Sequence, residues 1–454
     1  MPDRARGRGG ILQEIPSAAP VAALHGNSYK EGMGAQRDLV ILGGGLAGGL
    51  AALAVTALRP EWRVTLVEAG ERCGGNHVWS FFDSDVAAAD RWLVDPLVVK
   101  HWGGHATRFP GAARHLPMGY NSLTGERLDA VLEERLPEGA ILRGCAAVEV
   151  SATHVTLADG RRLEAGAVLD ARGAAGFPGL KGGWQKFVGQ MWRTGPHGFE
   201  KPVIMDATVE QRDGYRFIYV LPFAPDKLFV EDTYYSAHSG LDRDLLAERI
   251  KDYVAGLGLS GAELVHEEQG VLPVVAGGKI ETYLAATRIP GVGRIGVRAA
   301  LFHPLTSYSL PTAVETALAI ARAPTLSALD ALCESRARSH WRESAFFRLL
   351  AKMMFGAGQP ERWHRVFERF YRLNEGLIAR FYAGRLTAWD KLWLVTGRPP
   401  VPLGAAIATL MGGGNPPAGL DHPGNVGHDS PQPSIGSTTM SPSAGPRASG
   451  VLPS

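Results

Sequence analysis

The clearest chemistry in the sequence lies between Gly43 and Gly48. The spacing Gly43-x-Gly45-x-x-Gly48 suits a backbone that turns tightly and then lets an anion approach. Gly43 permits the turn, Gly45 leaves room for a pyrophosphate, and Gly48 allows a helix to pack closely on a strand. The whole turn, Gly43, Gly44, Gly45, Leu46, Ala47 and Gly48, is expected to present free N–H groups at a helix start. Glu68 follows about 20 residues later, where a carboxylate accepts hydrogen bonds from ribose hydroxyls.

The elements around these residues supply the context that the spacing alone lacks. The run DLVILGGG is a short apolar stretch ending in glycines, the pattern of a buried parallel strand. LAGGLAALAVTALRP reads as a small-residue helix closed by proline, and WRVTLVEAG as a second buried strand ending at Glu68. Gly74-Gly75 then completes E-x-x-x-x-x-G-G. This resembles the glycine doublet of the glutathione-reductase-like FAD proteins and favours FAD over NAD, with Gly75 near the cofactor phosphates.

Further along, PVIMDATVE, YRFIYVLPF and KLFVEDTYY read as successive strands of a separate sheet. LDRDLLAERIKDYVAGLG and PTAVETALAIARA read as helices, and residues 327 to about 381 as almost wholly helical. Residues 1–36 and 413–454 lack periodicity. The second segment, rich in Gly, Pro and Ser, is expected to be disordered.

Composition narrows the function classes. A formal net charge of +2 argues against nucleic acid as the main partner. Three cysteines, Cys73, Cys145 and Cys333, form neither a metal-ligand spacing nor a disulfide framework, so no metal is expected and a reducing cytosol is the default. No apolar run reaches the ~18 residues needed to span a bilayer, and no apolar core of signal-peptide length follows the N-terminus.

The segment GGNHVWSFFDSDV (74–86) resembles the bacterial lycopene β-cyclases, carotenoid ring-closing flavoproteins. The likeness continues through GWQKFVGQ, PVIMDATVEQRDGYRFIYVLPF, LFVEDTYYS, GVLPVV and GVRAALFHPLTSYSLPTAVETA. It ends at FERFYRLNEGLIARFYAGRLTAWDKL and GRPPVPLGAA, covering roughly 38–406 in order. The resemblance implies an α/β fold: a Rossmann-like FAD-binding domain with an inserted antiparallel β-sheet substrate domain and a C-terminal helical region. On that reading 1–36 is a flexible extension and 37–182 the first part of the FAD domain. Residues 183–284 form the substrate sheet, 285–326 return to the FAD domain, 327–412 are helical and 413–454 a disordered tail. The implied activity closes the ψ-ends of lycopene into β-ionone rings. It involves no net redox change but uses reduced FAD, with NAD(P)H as the electron source.

The family's acidic FLEET-like motif reads here Phe229-Val230-Glu231-Asp232-Thr233, with Asp for the second Glu. HPLTSYSLP replaces the more usual HPTTGYSLP, changing Leu305 and Ser307. Protonating an alkene requires a carboxylic acid kept neutral by burial. Glu231 and Asp232 are the catalytic candidates. Because strand neighbours point to opposite faces, Glu231 is expected to face flavin and polyene and Asp232 to support the backbone or the opposite face. A carbocation also calls for aromatic walls. Tyr215, Phe217 and Tyr219 alternate onto one face, and Tyr234, Phe302 and Tyr308 are further candidates. His77 and His303 lie inside the resembling motifs and are placed by them near the cofactor and pocket. Gly296-Val297-Arg298 stands where many FAD monooxygenases carry Gly-Asp; Arg298 is expected to face a phosphate or an anionic reduced flavin, or else to form a surface salt bridge.

Lycopene is a membrane hydrocarbon, so attachment to the cytoplasmic membrane face is expected. FFRLLAKMMFGAG, with Arg348 and Lys352, and LTAWDKLWLVTGRPPVPLGAAIATLM, with Trp389, Lys391 and Trp393, are the candidate interfacial segments. Competing classes are a redox flavoenzyme, such as a monooxygenase or polyprenyl reductase, and a non-catalytic FAD-binding or carotenoid-carrying protein.

Overall fold

A computed structural model describes residues 37–395 apart from 213, 260 and 359, together with 408–409 and 417–421. The expectations for 1–36, for GRPPVPLGAA and for most of 413–454 lie outside these residues.

Parallel strands Ile141–Leu142, Val64–Val67, Arg37–Leu42, Arg162–Asp170 and Val292–Arg294 pair in that order. Residues 39–42 are wholly buried, as a strand covered on both faces requires. His154–Leu157 and Ala147–Val150 extend this sheet antiparallel. The helix Leu46–Leu58 follows the first strand directly, and its glycines and alanines let it pack closely; a Cβ on Gly49 would lie 3.1 Å from Leu128. The carboxyl ends of these strands and the Gly43–Gly48 turn therefore meet at one crevice, the usual ligand position of such sheets.

The second sheet is mainly antiparallel. Glu263–Gly278, Phe177–Arg193, Lys227–Ser236, Tyr215–Ala224 and Val203–Asp206 pair in sequence across it. Two strands from within 37–182, His105–Phe109 and Ala112–Leu116, complete its far edge, and Phe177–Arg193 begins before residue 183. The substrate sheet thus draws on segments assigned above to the FAD domain; short alternating runs look the same whichever sheet they join. Ala418–Leu420 adds a short strand on Phe177–Arg193, with Leu420 fully buried. This corrects the expected disorder at that point, where a Gly- and Pro-rich average hides one apolar anchor.

Helices Leu329–Glu343, Ala345–Ala357, Trp363–Phe370, Glu375–Tyr382 and Ala388–Val395 form the C-terminal region. Their aromatic residues join Tyr215, Phe217 and Tyr235 of the second sheet in one core.

Candidate active site

Three backbone segments converge on the glycine turn. Gly43 has φ +97, and a Cβ on Gly48 would stand 1.9 Å from the Gly43 carbonyl oxygen, so both positions exclude side chains. A Cβ on Gly45 would meet nothing within 4 Å. That open flank beside the helix start at Leu46 and Ala47 fits a pyrophosphate. Glu68 accepts hydrogen bonds from Gly44 N and Gly70 N, both at 2.7 Å, which fixes its carboxylate at the strand end. Gly74 N donates to Gly44 O, and a Cβ on Gly74 would stand 2.6 Å from Gly125 Cα. The Gly74-Gly75 doublet thus lets a second backbone segment pass against the turn. From the other side, Gly296 (φ +60) packs so tightly that a Cβ would reach 2.6 Å from Ala47. Arg298 Nε lies 3.2 Å from buried Asp170 Oδ2, and Arg298 and Arg172 flank an open cleft. Both the salt bridge and the cleft that could face an anion are therefore present. Together these residues fit a bound dinucleotide.

The glycine doublet leads directly to the substrate sheet. Asn76 Nδ2 donates to Glu267 O at 3.1 Å, Val78 N donates to Glu268 Oε2 at 3.0 Å, and His77 Nδ1 lies 3.4 Å from the same oxygen. His77 thus joins the glycine doublet to the sheet.

Register explains the rest. Tyr219, Glu231, Gly189 and Glu268 pair in one row across four strands, so their side chains share a face. Tyr215, Phe217 and Tyr219 also share it: the Tyr215–Phe217 and Phe217–Tyr219 ring centroids are each 5.2 Å apart. Thr233 Oγ1 donates to Glu231 Oε1 at 2.6 Å. Burial, reinforced by the nearby Glu268 charge, pushes the Glu231 pKa up to about 8. Tyr219, Glu231 and Tyr308 are half-buried rather than fully covered by their neighbours. Tyr308 OH and Tyr120 OH are 3.1 Å apart, and Tyr120 carries further aromatic neighbours in Phe82 and Trp102.

Asp232 points the other way. Its carboxylate receives Arg216 Nε and Nη2 at 2.8–3.1 Å, with Tyr234 on the same side. The structure therefore separates Asp232 and Tyr234 from the Glu231 face; Asp232 serves as the partner of a buried cation rather than as a second acid. Phe302 belongs to a different core, against Phe177. His303 is buried at the turn that precedes Tyr308, where its Nδ1 accepts from Leu305 N and Thr306 N. Burial, with His340 nearby, pushes its pKa down to about 3, so the ring is neutral. Its ring packs 4.2 Å from that of Phe347. Glu268, Tyr120 and Thr233 were not singled out from the sequence. Glu268 immediately precedes Gln269 and GVLPVV, and only strand register brings it beside Glu231.

The lycopene cyclase protein family model matches residues 38–408. The chain belongs to the lycopene cyclase family. A lycopene β-cyclase of Pseudescherichia vulneris is 46% identical over 373 residues, covering 82% of this chain and 96% of that protein. A lycopene β-cyclase of Pantoea ananas is 42% identical over 383 residues, covering 82% and 98%. Among solved structures, a flavoprotein/dehydrogenase from Cytophaga hutchinsonii aligns with a TM-score of 0.55 at 13% identity, covering 83% of this chain and 99% of that one. The halogenase PltM aligns at 0.52 and 13%, covering 83% and 90%. At such identities the two structures speak for the fold alone.

Proposed function

We propose that this chain is a lycopene β-cyclase in carotenoid biosynthesis. It closes the ψ-ends of lycopene into β-ionone rings, through γ-carotene to β-carotene, with Glu231 as the acid. The observation that carries this reading is the placement of the Glu231 carboxyl among Tyr219, Tyr120 and Tyr308 on the aromatic face of the substrate sheet, where burial pushes its pKa up to about 8.

Glu231 transfers its proton to the terminal alkene of a ψ-end. The adjacent double bond attacks the resulting cation, a six-membered ring closes, and a ring proton leaves to the Glu231 carboxylate. One proton enters and one departs, so substrate and product have equal mass. Tyr215, Phe217 and Tyr219 present ring faces along the same side of the sheet, which stabilises positive charge and excludes water. Thr233 holds the Glu231 carboxyl in place. Gly43–Gly48, Glu68, Gly75, His77 and Arg298 are the residues proposed to hold FAD. Bound FAD, reduced by NAD(P)H, would supply electron density that stabilises positive charge.

Lycopene reaches the protein from a membrane. No helix among the described residues is long and apolar enough to cross one. Trp389, Leu392, Trp393 and Val395 are exposed on one short helix beside Lys391, a composition suited to the interface. By contrast, Phe347, Arg348 and Met354 of Ala345–Ala357 are buried, and Arg348 stacks over Trp341. Membrane docking is therefore assigned to Ala388–Val395 at the cytoplasmic face, and not to the 346–358 segment.

Expression in a bacterium that accumulates lycopene tests the reading. Pigments of unchanged mass carrying β-rings are expected. Untouched lycopene in cells containing the flavin-loaded protein, or products altered by two hydrogens or one oxygen, would refute it.

A further inference from the structure

Two carboxyl side chains share the face described above, and only Glu231 has a role in the proposed reaction. Glu268 is 2% exposed, one of the most buried acids in the chain. Its Oε2 is held by Val78 N and faces His77 Nδ1, while its Oε1 is buried without a hydrogen-bond partner. A buried acceptor left unpaired costs about 1–3 kcal/mol, so its retention calls for a function. Gly189 stands between Glu268 and Glu231 in the register. A Cβ there would fall 3.2 Å from Glu268 Cγ and 2.5 Å from the Phe229 ring. The missing side chain at Gly189 makes room for the Phe229 ring, which lies over the strip between the two acids. Their backbones are two strand spacings, ~9.6 Å, apart.

We propose that Glu268 is a positioning residue for ring closure: its acidic group, set across Gly189 in the same row, keeps the proton on Glu231. The Glu263–Gly278 strand also grips the cofactor-side loop through Asn76, His77 and Val78. Glu268 thus ties the dinucleotide end of the protein to its acid. This inference rests on Glu231 being the acid. The groups facing Glu231 are Tyr219 from the neighbouring strand, Tyr120, Thr233 and Glu268, with Asp232 behind it on its own strand. Those facing Glu268 are His77, Val78 N–H and Glu231. Of these, Glu268 is the carboxyl on the Glu231 face, so neutralising it should shift the acid's titration.

The test is the pH profile of kcat/KM for lycopene in liposomes, using full-length, flavin-loaded protein. E268Q should keep cyclising at low pH but lose activity about one pH unit earlier than wild type on the alkaline side. E268D should restore most of the wild-type limb. Glu268→Met removes the same charge with an apolar chain that needs no partner, and should shift the limb equally if the Gln variant is insoluble. An unchanged alkaline limb in whichever neutral variant folds would overturn the proposal. So would a uniform loss at every pH that E268D shares. E231Q separates this from the underlying reading: if E231Q cyclises normally, Glu231 is not the acid and both fail; if E231Q is inactive and the limb does not move, this proposal alone fails.

Discussion

Asp232 and Arg216 face each other across paired strands, with three N–H···O contacts of 2.8–3.1 Å and almost no solvent exposure. Glu231, the adjoining residue, turns to the other side of the sheet and meets Thr233 and Tyr219. One strand thus carries a carboxylate locked to a cation and a carboxyl kept neutral.

Breaking the first of these is predicted to damage the fold rather than the chemistry alone. Asp232→Ala leaves the Arg216 guanidinium buried and uncompensated, which costs about 3–5 kcal/mol. Arg216→Met combined with Asp232→Leu should recover much of that loss. Urea unfolding of the single and double variants measures both quantities.

Glu231 sets a pH dependence of stability. Its pKa rises from an ordinary 4.5 to about 8 in the folded protein, so between those values the native state holds a proton that the unfolded chain has released. Its contribution is fully present below about 4.5 and is lost as pH rises to about 8, at about 1.4 kcal/mol per unit. The stability of wild type relative to E231Q should therefore fall over that window. A pH-independent difference would show that Glu231 is ionised throughout.

The glycine turn separates folding from cofactor binding. Gly45→Ala adds a methyl to open space, so the protein should fold normally yet bind FAD at least tenfold more weakly. Gly48→Ala forces a methyl to within 1.9 Å of the Gly43 carbonyl oxygen and should cost several kcal/mol in stability, the scale of a core steric error. Thermal melts and flavin titration of the two variants distinguish these effects.

Ser307 occupies left-handed backbone with φ +59, at the position where the resembling family more usually has glycine, and its Oγ donates to Pro273 O at 2.8 Å. Ser307→Gly relieves backbone strain but loses that bond and adds unfolded-state entropy, so its stability should change by less than about 1 kcal/mol. Ser307→Val keeps the strain, loses the bond and adds a branched chain, and should cost about 2 kcal/mol or more. Denaturant melts check both.

Trp389→Asp with Leu392→Asp should weaken liposome binding at least tenfold while leaving turnover of detergent-dispersed lycopene near wild type. Sedimentation with vesicles measures the first. Unchanged binding would remove Ala388–Val395 as the anchor.

Much of this was readable from residues in a row. The Gly43–Gly48 turn, Glu68 and the Gly74-Gly75 doublet are local patterns with a local physical reason, and the structure brings them into contact. Alternation along YRFIY and VEDTY correctly divided Glu231 from Asp232. Glu268 was not legible because its position depends on the pairing of three distant strands, and nothing within EEQG distinguishes one acid from the next. His303 sits in a conspicuous motif, yet its neutral, buried state follows from Phe347 on a helix more than 40 residues away. Arg348 resembled a surface cation until Trp341 and the surrounding core covered it.

On the proposed mechanism Glu231 delivers an exchangeable proton to the polyene. Protein equilibrated in D₂O, loaded with reduced FAD and given lycopene for a single turnover, tests it by mass spectrometry of the pigment. Each ring closed should carry one deuterium, and E231Q should give no ringed product. Ringed product free of deuterium, or equal labelling by E231Q, would contradict the account.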